Sequence, residues 1–174
     1  MKKIILIYIL LFSFYLHAEE KADPQHKVKV GEIAPAFTIH YADGKSAKLS
    51  DLKGKVVMLQ FTASWCSVCL REMPFIESEI WQKLKDNPDF VLVAIDFKES
   101  PDKIPHFRKA AKVTYPMALD TTGAIFELYA EKDAGVTRNY IINKTGHIAF
   151  LTRLFDREEF DAMKRKIWEL LGEE

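Results

Sequence analysis

The sequence predicts an α/β domain with a mixed central sheet flanked by helices, and three observations predict it. Val56-Val57-Met58-Leu59-Gln60-Phe61 and Phe90-Val91-Leu92-Val93-Ala94-Ile95 are nearly all apolar, as strands covered on both faces must be. Apolar residues recur at helical spacing between and after these runs. Toward the C-terminus, Tyr140-Ile141-Ile142 and His147-Ile148-Ala149-Phe150-Leu151 flank the turn Lys144-Thr145-Gly146, the pattern of a strand hairpin. Strand, helix, strand, helix, hairpin and final helix make an α/β layer structure.

The start of the chain is set apart. Lys2-Lys3 precede an apolar run over residues 4–16, interrupted only by Ser13, and His17-Ala18 then give way to Glu19-Glu20. This is the pattern of a secretory signal peptide over residues 1–18, cut after Ala18, so the protein is expected to be exported and, in a bacterium, periplasmic. A retained N-terminal membrane anchor is the alternative, although the run is shorter than the roughly 20 residues a span needs. Neither cysteine lies nearby to carry a lipid. Residues 19–30 are polar and aperiodic, a flexible leader, and residues 31–174 form the domain. His26 in the leader and His40 beyond it have no partners evident in sequence.

Removing Lys2 and Lys3 from 25 basic residues leaves 23 against 25 acidic ones, a balance that argues against nucleic-acid binding.

Within the domain, Phe37-Thr38-Ile39-His40-Tyr41 alternates, Asp43-Gly44 turns, and Ala47-Lys48-Leu49 returns as a short N-terminal hairpin. The first helix begins at the cysteines and carries Cys69, Met73, Ile76, Ile80 and Leu84 on one face. Pro74 inside it removes the bond to the Leu70 carbonyl and should bend it. A second helix is expected over residues 105–112, after Ser100-Pro101. The last spans about residues 157–171, with Asp156 and Glu159 at capping-box spacing and Phe160, Met163, Ile167 and Leu170 along one side.

Trp65-Cys66-Ser67-Val68-Cys69 contains both cysteines of the chain. The pair falls where a strand ends and a helix begins, the usual place for sites in open α/β sheets. Cys66 then lies at or near the N-cap, where free N–H groups and the macrodipole favour a thiolate. Cys69, one turn on, shares the buried face with Met73. This geometry makes Cys66 the attacking nucleophile and Cys69 the resolving thiol. A bridge across a two-residue gap removes little chain entropy, so it is a poor structural staple.

Other chemistries use the same residues. Structural zinc needs four ligands, and only His106 and His147, far off in sequence, could complete a set. A dithiol also suits Cu(I), so a non-enzymatic copper carrier is a second alternative. No metal site or cofactor is otherwise indicated.

Trp65-Cys66-x-x-Cys69-x-x-Glu72-x-Pro74 resembles the exported thioredoxin-like thiol–disulfide oxidoreductases of the TlpA/ResA type. Supporting matches are Gly31-x-x-Ala34-Pro35-x-Phe37, Ser50-Asp51-Leu52-Lys53-Gly54-Lys55 and Tyr115-Pro116. The resemblance implies a thioredoxin-like fold with an N-terminal β-hairpin extension and one redox-active disulfide. It implies that Glu72 lies near the thiols and influences their ionisation, a solvated helix carboxylate being the alternative. Gln60 stands where thioredoxins carry a buried Asp, so that ionisable group is missing. It further implies exported client proteins with disulfides, such as apocytochrome c, and a membrane electron donor of the disulfide-reductase type. Reduction of clients is the favoured direction, with oxidase or isomerase activity the alternative.

The departure is at Gly135-Val136-Thr137-Arg138. The family has a cis-proline facing the cysteines where this chain has Thr137, and a cis bond before a non-proline costs about 2.5–4 kcal/mol, so a trans Val136–Thr137 peptide is expected. Trp65, Val136, Thr137 and Arg138 are the expected substrate-binding residues. Arg138 is placed either at the surface or reaching the sulfurs to favour thiolate, as an Arg does in peroxiredoxins. A peroxidase reading lacks the Thr-x-x-Cys signature, since Ala63 holds the position and Thr62 is out of register.

Overall fold

The computed structural model describes residues 25–172. The expected signal peptide, and the leader up to residue 24, lie outside the described residues.

Strands β1 (Thr38–His40) and β2 (Ser46–Lys48) form the expected antiparallel hairpin, with Ile39 opposite Ala47. Strand β3 (Val56–Thr62) is buried along its whole length and feeds helix α1 (Ser67–Phe75). The helix continues through a π-helical stretch, Ile76–Trp81, and a last turn, α2 (Gln82–Leu84). Strand β4 (Phe90–Phe97), helix α3 (Ile104–Ala111), strand β5 (Met117–Asp120) and helix α4 (Phe126–Tyr129) follow. Strands β6 (Arg138–Ile142) and β7 (Ile148–Arg153) form the second hairpin, and helix α5 (Arg157–Leu171) closes the domain.

The main sheet has the order β5-β4-β3-β6-β7, with β3, β4 and β5 parallel and β6 and β7 antiparallel to their neighbours. Alternation along β3 divides two cores. Gln60 and Thr62 face α1, meeting Glu72 and Met73. Phe61 points to the opposite face and packs on Phe126 and Tyr129 of α4 and on Tyr140. Helix α5 lies beside α1, where Phe75 stacks on Phe155 at 5.2 Å and Arg157 grips Glu79 with two nitrogens, at 2.7 and 2.9 Å. Its cap is as the spacing predicts: the Asp156 carboxylate accepts the Glu159 N–H at 3.0 Å.

The structure amends the sequence expectations in three places. Strand β5 and helix α4 were not anticipated, because each is four residues long and too short to show a period. Pro74 is followed by the π-helical stretch, in which the Gln82 N–H reaches back to the Glu77 carbonyl and the Ser78 hydroxyl bonds the Pro74 carbonyl. Residues 25–30, expected to belong to the leader, pack against the domain. Val28 is buried, the backbone of His26 bridges Ala130, and the Gly31 N–H bonds the Ile148 carbonyl.

Candidate active site

Strand β3 ends at Thr62, and Ala63, Ser64 and Trp65 turn the chain into α1, with Cys66 as the N-cap residue. An N-cap side chain satisfies one of the free N–H groups of the first turn. Here the acceptor is sulfur: Sγ of Cys66 takes the Cys69 N–H at 3.1 Å. The two cysteines are joined as a disulfide, with Cα atoms 5.3 Å apart. Cys66 is 9% exposed and Cys69 0%, while Trp65 beside them is 63% exposed. Both cysteines are thus buried, and the residue that retains some exposure is the one at the positive end of the helix.

Two buried carboxylates lie close in sequence on the chain that leaves β4: Asp96 within the strand and Glu99 in the loop after it, which borders this turn. Glu99 accepts the Ser64 N–H at 2.5 Å, the Ser64 hydroxyl at 2.7 Å and Lys103 Nζ at 3.0 Å. Burial pushes its carboxyl up, but these donors outweigh it and hold the group below its usual range. The clamp fixes the backbone two residues before Cys66. Asp96 is fully buried, and neither of its oxygens has a hydrogen-bond partner among the described residues. Burial first, and the Glu99 charge second, push it up to about 7.

Glu72 lies one turn beyond Cys69 and is buried rather than solvated. Asn139 Nδ2 donates to its Oε1 at 2.7 Å, and Gln60 Nε2 approaches its Oε2 at 3.5 Å. The register pairs Gln60 with Asn139 across β3 and β6, so both amides face the same carboxyl. The Tyr115 hydroxyl donates to Gln60 Oε1 at 2.8 Å, and Asn139 also donates to the Thr152 hydroxyl at 2.9 Å. Burial raises Glu72 to about 7, against the opposing pull of the two amides.

Thr137 stands over the disulfide. Its Oγ1 is 3.0 Å from Cys66 Sγ and 3.1 Å from Cys69 Sγ, and no cis peptide occurs among the described residues. Val136 and Thr137 are 4% and 2% exposed, so of the four residues expected to meet substrate only Trp65 presents its side chain to solvent.

Arg138 requires a correction. It is completely buried, not a surface residue, and its guanidinium is turned to the N-terminal segment. Its Nε donates to the Gly135 carbonyl at 3.0 Å, and its terminal nitrogens meet His26 at 2.9 Å and Gln25 at 3.1 Å. His26 also contacts the Tyr140 hydroxyl at 2.8 Å, so this histidine does have a constellation. Both partners lie more than a hundred residues away in sequence, beyond the reach of local patterning.

Among the described residues, no group of three or more His, Cys, Asp and Glu side chains could hold a metal ion. Sequence reasoning missed Ser64, Asp96, Glu99 and Asn139. For two of these the available signal was a polar residue within a run otherwise expected to be buried, as Asp96 is in β4 and Asn139 is beside Tyr140-Ile141-Ile142 in β6.

Residues 30–151 match the AhpC/TSA family. The thiol–disulfide oxidoreductase ResA of Bacillus cereus is 30% identical over 138 residues, covering 79% of this chain and 74% of the relative. ResA of Bacillus subtilis is 31% identical over 124 residues, covering 71% and 67%. Among solved structures, a protein-disulfide-isomerase candidate from Bacteroides thetaiotaomicron is similar with TM-score 0.82 and 54% identity, covering 86% of this chain and 94% of that one. A thiol:disulfide interchange DsbE candidate from Chlorobium tepidum gives TM-score 0.72 and 26% identity, with 83% and 99% covered. The thioredoxin domain of an oxidoreductase from Bacteroides vulgatus, at TM-score 0.67 and 20% identity over 80% and 99% of the chains, shares the fold.

Proposed function

Because the chain belongs to the AhpC/TSA family and, within it, to the ResA/TlpA-like thiol–disulfide oxidoreductases, we propose that it reduces disulfides of exported client proteins through Cys66 and Cys69. The observation that carries this reading is the position of Cys66, an N-cap residue whose sulfur accepts a helix N–H and which keeps slight exposure next to exposed Trp65.

The electron pair of the Cys66 thiolate attacks one client sulfur. The client S–S bond breaks, and the departing sulfur takes a proton. Cys69 then loses its proton and attacks Cys66, releasing the second client thiol and restoring the disulfide seen here. Two electrons and the Cys69 proton pass from the dithiol to the client, and the proton that Cys66 gave up on becoming a thiolate reaches the departing client sulfur from solvent. Glu72, buried one turn past Cys69 and poised at about 7, exchanges protons with the pair. Export through the signal peptide places the domain in an oxidising compartment, so a disulfide reductase in the membrane must re-reduce it.

A Cys69→Ser variant lacks the resolving thiol, so mixed disulfides between Cys66 and clients should accumulate in the native compartment. Recovery of no mixed disulfide would overturn the reading. The similarity to the Bacteroides thetaiotaomicron isomerase candidate favours one second reading, disulfide isomerisation. A reduction potential near the roughly −180 mV of an isomerase, rather than toward about −270 mV, would select it.

A further inference from the structure

We propose that the Thr137 hydroxyl is a catalytic hydrogen-bond donor to the Cys66 thiolate, and that this chain tunes its dithiol through that bond. The inference rests on the reading that Cys66 attacks as a thiolate.

A threonine hydroxyl has one proton to give and two lone pairs to receive with. Here it is within reach of both sulfurs, at 3.0 Å from Cys66 and 3.1 Å from Cys69. The residue is almost wholly buried, so water offers the hydroxyl little competition, and its own carbonyl accepts the Leu154 N–H at 2.9 Å, which fixes the backbone. A disulfide sulfur is a weak acceptor, so in the oxidised protein the contact contributes little.

Reduction changes that. Negative charge settles on Cys66, because its sulfur already accepts the Cys69 N–H at the helix start. The hydroxyl proton turns to that charge. Cys69, with no exposure to solvent, keeps an S–H that needs an acceptor, and the Thr137 lone pair supplies one. The hydroxyl thus orders the pair as Cys69 S–H to oxygen, and O–H to Cys66 sulfur. Proline at this position has neither a proton to donate nor a side-chain lone pair.

When Cys66 forms its bond to a client sulfur, the charge leaves with the departing client thiol and the donor bond weakens. The Cys69 proton is lost as its sulfur attacks, and it ends on the second client thiol. The bond stabilises the reduced dithiol more than the disulfide. Its removal should therefore raise the Cys66 pKa and make the protein a stronger reductant.

The test uses the full mature protein with Thr137→Val, which keeps the shape and loses the hydroxyl, and Thr137→Ser, which keeps the hydroxyl. Cys66 is titrated by the pH dependence of iodoacetamide alkylation, and the dithiol is equilibrated with glutathione. The valine variant should titrate about one unit higher and shift the glutathione equilibrium about tenfold toward disulfide, close to 30 mV. The serine variant should keep the wild-type values. Coincidence of valine with wild type, or equal shifts in valine and serine, would overturn the proposal. If the valine protein does not fold, Thr137→Ala against Thr137→Ser reads the same difference. Failure of the reductase reading shows separately, as wild-type protein that gives the expected variant shifts yet reduces no insulin disulfide.

Discussion

Asn139 donates to Glu72 across 2.7 Å, tying a carboxyl group of α1 to the antiparallel strand β6 beneath the cysteines. The group is held where water does not reach, and its acid form is favoured up to about pH 7. The folded-state pKa is raised, so the folded protein binds more protons than the unfolded chain between the ordinary Glu value and 7. Stability from this group is therefore full below about pH 4.3 and is lost as pH rises through 7. The loss amounts to about 3 kcal/mol or less. Asp96, raised to about 7 as well, adds a slope of the same sign. Urea unfolding between pH 5 and 8 should show this decline, and Glu72→Gln should reduce its slope without removing it.

Asn139→Leu should remove a donor from Glu72 and from the Thr152 hydroxyl together. Its cost is about 2 kcal/mol at pH 6, the penalty for leaving buried polar groups unpaired, read by the same unfolding measurement. With one amide gone, Glu72 should titrate higher still, and the midpoint of the stability decline should move to higher pH.

Trp65→Ala should separate docking from chemistry. The side chain is 63% exposed, so its loss should change stability by no more than about 0.5 kcal/mol. The kcat/KM for a protein disulfide should fall roughly tenfold, while that for a small aromatic disulfide stays near wild type.

Arg138→Leu should act on the fold and not on the sulfurs. The guanidinium bonds Gly135, His26 and Gln25, so removing it should loosen the N-terminal segment and lower Tm by about 5 °C or more. The Cys66 titration should stay where it is in wild type. A shift comparable to that expected for Thr137→Val would restore Arg138 as a thiolate partner.

The parts of this molecule legible in sequence are those with local causes. The apolar runs gave β3 and β4, the spacing of Cys69, Met73, Ile76 and Ile80 gave the buried face of the first helix, and Asp156 marked the start of α5. The N-cap position of Cys66 follows from the same strand-to-helix junction. What escaped was set by tertiary contact. The Glu99 clamp on Ser64 joins residues from two different loops. The burial of Arg138 depends on a segment more than a hundred residues upstream. The approach of Thr137 to both sulfurs depends on a trans loop whose path the resemblance did not supply, because the family has proline there.

Partial alkylation of the freshly reduced, folded protein tests the central claim most directly. With less than one equivalent of iodoacetamide near neutral pH, peptide mass analysis should find the label on Cys66, with Cys69 nearly unmodified. Equal labelling, preference for Cys69, or sulfurs that react only after unfolding would contradict the account.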